Sequence, residues 1–161
     1  MPSAHHHAVA LQHLTARDLD KLGEGLADWG TVDAFAVYLL GPAYREGRMS
    51  QSELARWARS EDRFRRRAAL ACTVALNTKA RGGHGDAPRT LAICDILLSD
   101  RDDLVVKAMS WALRELAARC PQETVHYLDQ HETALARRVV REVRNKLTTG
   151  KKTGRAGRVP K

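Results

Sequence analysis

DWGTVDA at residues 28–34 is echoed by DRFRRRA at 62–68 and by DDLVVKA at 102–108. Each copy runs aspartate, four residues, a charged residue, then alanine. The opening aspartates Asp28, Asp62 and Asp102 lie 34 and 40 residues apart. That period suits solenoids built from stacked helix pairs. In such a stack, equivalent positions on successive helices point the same way, so Asp33, Arg67 and Lys107 are expected in a row on one surface. The aspartates themselves read first as N-caps, each accepting hydrogen bonds from free backbone amides and stabilising by about 1 kcal/mol. Ala34, Ala68 and Ala108, beside the row, read as sites of close helix approach.

Working outward, Thr15-x-x-Asp18 and Ser50-x-x-Glu53 have the form of capping boxes. The first precedes Leu19, Leu22 and Leu26 at helical spacing, and the second precedes Leu54, Trp57 and Ala58. A helix from Asp28 to Leu40 should stop at Gly41-Pro42. Asp62 opens an Ala-rich helix ending near Lys79, the segment ARGGHGDAPR is a loop, and Thr90–Leu98 is a short apolar helix. Asp102 opens a helix through about Ala118, broken at Cys120-Pro121, and segments 122–130 and 133–148 complete the set. Nothing alternates with period two between turn signals, so no strand is expected. The chain reads as all-α: an α-solenoid of antiparallel helix pairs over 15–149, with a disordered N-terminus 1–14 and a disordered basic tail 150–161.

The 161 residues suffice for one domain with a core and are too few for two comfortable ones. Apolar runs are far below a membrane span, and no secretory leader is apparent, so an intracellular, cytoplasmic protein without a membrane partner is expected. Cys72, Cys94 and Cys120 are far apart in apolar helical contexts and read as small core residues of a reducing compartment. His5, His6 and His7 read as terminal sequence, not a metal site. Net charge is +8, of which the acid-free tail supplies five charges through Lys151, Lys152, Arg155, Arg158 and Lys161. That tail is either a solubilising end or a nucleic-acid arm. Gly82, Gly83 and Gly85 do not make a phosphate loop, because no strand precedes them and no Gly-Lys-Ser/Thr follows. His84 has no evident Ser or Cys partner for nucleophilic catalysis.

Two groupings carry possible chemistry. Trp29 and Asp33, four apart, share a helix face. An indole can pack on a sugar while the carboxylate faces developing positive charge; the alternative is a core tryptophan and a first-turn acid favoured by the helix dipole. Lys107, Trp111 and Arg114 form one stripe that suits a phosphate backbone with a ring against a sugar or base. A surface cation–π pair is the other reading. Arg63, Arg65, Arg66 and Arg67 cannot all face one way, and Arg67 is the one placed in the groove. The basic helix of Arg137, Arg138, Arg141, Arg144 and Lys146 is a solvated face or a phosphate contact.

WGTVD at 29–33, RRAAL at 66–70 and KAMSWALRE at 107–115 followed by Pro121 resemble the HEAT-like-repeat DNA alkylation-repair glycosylases of the AlkD type. The likeness covers about residues 20 to 149. It implies a right-handed HEAT-like solenoid gripping duplex DNA, with hydrolysis of the N-glycosidic bond of purines alkylated at N3 or N7. Carried across by motif, Asp33 takes the catalytic carboxylate, Trp29 and Trp111 the walls around the deoxyribose, and Arg67 a phosphate contact beside them. Arg114 matches a further DNA-facing arginine, with Lys107, Arg66 and Arg141 as additional DNA contacts. No metal or cofactor is implied. The chemistry needs no base pocket, unlike most base-directed enzymes.

Two departures from the family pattern stand out. Only 28 residues precede Trp29, where such proteins carry further repeats, so a shortened grip and a homodimer through the uncapped N-terminal end are expected. Gly30 stands where an aspartate is usual, weakening the helix by about 1 kcal/mol. A catalytically silent module for distorted or branched DNA and a protein-binding helical scaffold are the rival expectations.

Overall fold

The computed structural model describes residues 11–153. The expected termini fall partly outside it: His5–His7 and the tail beyond Thr153 lie outside the described residues. The described chain is helical: α1 Ala16–Leu22, α2 Trp29–Phe35, α3 Gly41–Arg45, α4 Gln51–Ala58, α5 Arg63–Asn77, α6 Ala87–Ile96, α7 Asp103–Arg119, α8 Pro121–His131 and α9 Arg137–Thr149. A π turn at Ala36–Leu40 joins α2 to α3, and a 3-10 turn at Lys79–Arg81 follows α5. Among the described residues there is no strand, and no helix is long and apolar enough to cross a membrane.

The helices stack as an all-α, solenoid-like array. α2, α5, α7 and α9 form one row, each packed on the one before, while α4 and α6 touch one another behind α5 and α8 backs α7. Caps set the starts. Asp28 accepts from Thr31 N at 2.8 Å, Asp62 from Phe64 N at 2.9 Å and Asp102 from Leu104 N at 2.9 Å. Both capping boxes form, on Thr15 and on Ser50. α6 begins at Ala87, earlier than its apolar run suggests, because Asp86 caps it and Pro88 sits in its first turn, where a missing N–H costs nothing.

α5 is the centre of the packing. Every residue from Arg67 to Asn77 is buried, because this helix is enclosed by α2, α3, α4, α6 and α7. Such a helix must be apolar or self-satisfied all round. Thr73 therefore turns its hydroxyl onto Leu70 O, and Asn77 bonds Thr90 Oγ1 at 2.9 Å while accepting from Asp86 N. Its small residues admit close neighbours. Ala68 and Ala108 are buried as expected, but Ala34 is exposed, because it lines an open hollow together with Tyr38, Val74 and Trp111. Cys72 and Cys94 are buried and Cys120 is half-buried, all three unpaired.

Gly41-Pro42 does not stop the helix, contrary to the breaker rule. The path continues from Trp29 to Arg45 because Gly41 N–H bonds Ala36 O, five residues back, and this wider turn makes room for the proline ring. Gly41 is needed for a different reason: a Cβ there would lie 2.5 Å from Ala75 Cβ and 2.9 Å from Cys72 O. Helix propensity alone favours alanine. Overpacking wins here, so Gly41→Ala is expected to cost about 1–3 kcal/mol and to lower the melting temperature by several degrees, read by calorimetry. An unchanged or raised melting temperature would show that the α3–α5 contact yields easily.

At the N-terminal end, Trp57 stacks on Phe35 with centroids 5.9 Å apart and donates its indole N–H to Asp20 at 2.9 Å. Arg48 reaches back to Leu14 O at 2.9 Å, fastening the start of the described chain.

Candidate functional site

Capping places the first site pair. With Asp28 as the N-cap, Trp29 opens α2 and Asp33 stands one turn later on the same side, while Val32, Phe35 and Ala36 face the core. Trp29 is 62% exposed, so it is not a core residue. Gly30 beside it has open space around it, since an added Cβ would meet only Asp28 Oδ1 at 3.5 Å.

Asp33 is held by Arg67 of α5 in a two-pronged pair: Nε donates to Oδ1 at 2.7 Å and a terminal nitrogen to Oδ2 at 2.8 Å. The third prong of the guanidinium donates to Leu104 O at 2.6 Å, tying α7 to the same group. Arg67 is only 7% exposed. A planar fork matched to a carboxylate fixes that carboxylate's orientation as well as its charge. Each carboxylate oxygen keeps a further lone pair for another donor.

On α7, Lys107, Trp111 and Arg114 face outward while Val105, Ala108, Met109, Ala112 and Leu116 are buried. Lys107 pairs with Asp103 one turn earlier at 2.7 Å. Trp111 is half-buried and rests on the core. Arg114 donates its Nε to Ser110 Oγ at 3.2 Å. Among the described residues its terminal N–H groups meet no acceptor.

These side chains share one cleft of about 560 Å³, lined by Trp29, Asp33, Arg67, Lys107, Trp111 and Arg114. Four further residues line it that the sequence did not place there: Leu104, Glu115, Arg138 and Lys152. On the other side of Asp33 and Trp111 the groove continues into a hollow of about 400 Å³ walled by Tyr38 and Arg81. There the Arg81 guanidinium lies 4.2 Å from the Tyr38 ring centre and donates to its hydroxyl at 2.8 Å.

Two expected DNA contacts lie elsewhere. Arg66 is turned away from the cleft, because one residue along a helix is a rotation of about 100°. It donates to Asp100 at 2.8 Å and to Ser60 O and Glu61 O, fastening the loop before α5. Arg141 lines a separate depression with Thr133 and Arg137. The cation that α9 brings to the cleft is Arg138. The sequence carried a signal for it: Arg138 and Glu142 are one turn apart, and such a pair orients both side chains.

Glu142 is the hub behind that wall. It is only 6% exposed, yet Ser110 donates to one oxygen and Arg138 Nε to the other at 2.8 Å, with Lys152 Nζ at 3.8 Å. Burial works against its charged form, but the Ser110 and Arg138 hydrogen bonds and the neighbouring cations outweigh it and hold the carboxyl below its usual range. A depressed carboxylate contributes stability at neutral pH that is lost as pH falls through its folded value, below the ordinary glutamate range. Glu142→Ala is therefore expected to cost about 3 kcal/mol at neutral pH and to flatten the acid limb of the stability curve. Equal acid limbs in the two proteins would show that Glu142 carries none of that dependence.

The array and its cleft define a class: an all-helical, solenoid-like protein with a groove lined by indoles, arginines and a fixed carboxylate. The chain belongs to the DNA alkylation repair enzyme family, whose model matches residues 6–147. No curated protein matches the chain. Its role is thus in DNA repair. Among the described residues no cluster of three or more His, Cys, Asp or Glu is arranged to hold a metal ion.

Proposed function

We propose that the protein hydrolyses the N-glycosidic bond of cationic N3- or N7-alkylpurines in duplex DNA, from a HEAT-like helical array and without full extrusion of the base. The observation that carries the reading is the setting of Asp33. It is a carboxylate held in orientation by Arg67 in a groove that Trp29, Trp111, Lys107, Arg114 and Arg138 also line.

The lesion is already positively charged, so the leaving purine needs no strong general acid. As the C1′–N bond breaks, its electron pair neutralises the purine and positive charge grows on the sugar. Asp33 faces that charge and accepts a hydrogen bond from the water whose oxygen bonds C1′. The proton in that hydrogen bond leaves by way of Asp33 to solvent, and the water's other proton stays on the new C1′ hydroxyl. Trp29 and Trp111 pack against the deoxyribose, while Arg114, Lys107 and Arg138 take flanking phosphates.

A second reading has one observation in its favour. Arg67 engages both oxygens of Asp33, as it would in a purely structural ion pair, and the protein would then bind distorted DNA without cleaving it. Incubation with methylated duplex DNA and chromatography of the released bases separates the two. Free 7-methylguanine is expected; duplex binding with no base released would favour the silent module.

A further inference from the structure

A second basic hollow, of about 600 Å³, is lined by Asp20, Ser52, Arg56, Arg59, Ser60 and Arg65. It opens on the other side of α5 from the cleft. Arg65 and Arg67 are two residues apart on that helix, a rotation of about 200° that sends one to this hollow and the other to Asp33. We infer that the hollow binds a phosphate monoester dianion. Asp20 organises it. Its Oδ1 accepts from Arg65 at 2.8 Å and from Trp57 Nε1 at 2.9 Å, and its Oδ2 accepts from Arg56 at 3.2 Å. One carboxylate thus holds two guanidiniums side by side. Arg65 is fixed further, lying 4.5 Å from the Trp57 ring centre and donating to Asp20 O at 3.4 Å.

The remaining groups choose the ligand. Arg59, three residues after Arg56 and so its neighbour at the end of α4, is exposed. Among the described residues its side chain makes no ion pair and no hydrogen bond. Arg56 keeps N–H groups beyond the one given to Asp20. Ser60 Oγ accepts from Asp62 N at 3.1 Å, which leaves its own proton to donate. Both oxygens of Asp20 are engaged, so the wall offers donors to an acceptor-only ligand. Three arginines against one aspartate also leave it with two uncompensated positive charges. A phosphate monoester carries a charge near −2 and three terminal oxygens, which matches both the charge and the number of guanidiniums. A single carboxylate would fill one guanidinium fork and leave the others unmet. Trp57 is 1% exposed and offers no ring face to a base, so the hollow recognises the phosphate and not a nucleobase. This site stands apart from whatever the cleft takes.

The test titrates inorganic phosphate, thymidine monophosphate and thymidine into the full chain and into the double variant Arg56→Gln, Arg59→Gln, by calorimetry in phosphate-free buffer. Both side chains are exposed, and an exposed pair such as Arg56–Asp20 contributes little to stability, so the variant is expected to melt with the full chain. The full chain is expected to bind phosphate and thymidine monophosphate but not thymidine. The variant is expected to bind both about tenfold or more weakly, with its affinity for a short undamaged duplex, read by fluorescence anisotropy, unchanged. Tighter binding of thymidine monophosphate than of phosphate would assign the site to a nucleotide or strand end, and equal binding to free phosphate; either result supports the hollow. Equal phosphate affinity in the two folded proteins would overturn it by placing the anion elsewhere. So would thymidine binding as tightly as its monophosphate, or an oligoglutamate peptide binding where phosphate does not. A parallel loss of duplex affinity would make these arginines part of the DNA grip and end the case for a separate site. Should the double variant fail to fold, Arg59→Gln alone carries the same comparison.

Discussion

Asp33→Asn is expected to lower the release of 7-methylguanine by about 10²–10³ at saturating enzyme while duplex affinity persists. The substitution keeps the size of the side chain and one acceptor for Arg67, but removes the charge that faces C1′. Its amide nitrogen must also turn toward either solvent or the guanidinium, so a melting curve belongs beside the rate. Equal release by the two proteins would remove Asp33 from the chemistry and leave its contact with Arg67 as structural. A lower rate matched by a general loss of folded protein would say the same.

The second large effect is expected at Arg67. Removing it in Arg67→Ala strands the Asp33 carboxylate and Leu104 O in a half-buried site. Breaking such a pair costs about 3–5 kcal/mol, and release of the base should fall with it. Arg67→Lys keeps the charge but not the fork, so it is expected to fold better than the alanine variant and still release base slowly. A paired replacement separates stability from chemistry. Arg67→Met combined with Asp33→Leu fills the site with apolar atoms and is expected to recover most of the lost stability. It should release no base. Full release by that double variant would end the proposal for both residues.

Much of the fold was legible because its signals are local. Three aspartates at a solenoid period marked the starts of α2, α5 and α7, and each makes its cap. The row of charged residues was legible for the same reason: Asp33, Arg67 and Lys107 occupy one position of three stacked helices, and stacking brings them to one cleft. Distance in the sequence hid the rest. Arg138 and Lys152 reach the cleft only because Glu142 is buried against Ser110, a contact between helices that no spacing within one helix reveals. Arg66 lies away from the cleft because a one-residue step around α5 turns it toward Asp100. Gly41-Pro42 misled for a third reason: a breaker pair is harmless where the preceding turn widens and a neighbouring helix needs the missing side chain.

The cysteines carry a consequence of a different kind. Burial pushes the Cys72 and Cys94 thiols well above the ordinary thiol range, and the half-buried Cys120 is shifted in the same direction. A thiol attacks electrophiles as its anion. Methylating agents that create damaged purines would find Cys72 and Cys94 enclosed in the core and poor in thiolate, so these two sulfurs are slow targets in the chemical weather that makes repair necessary.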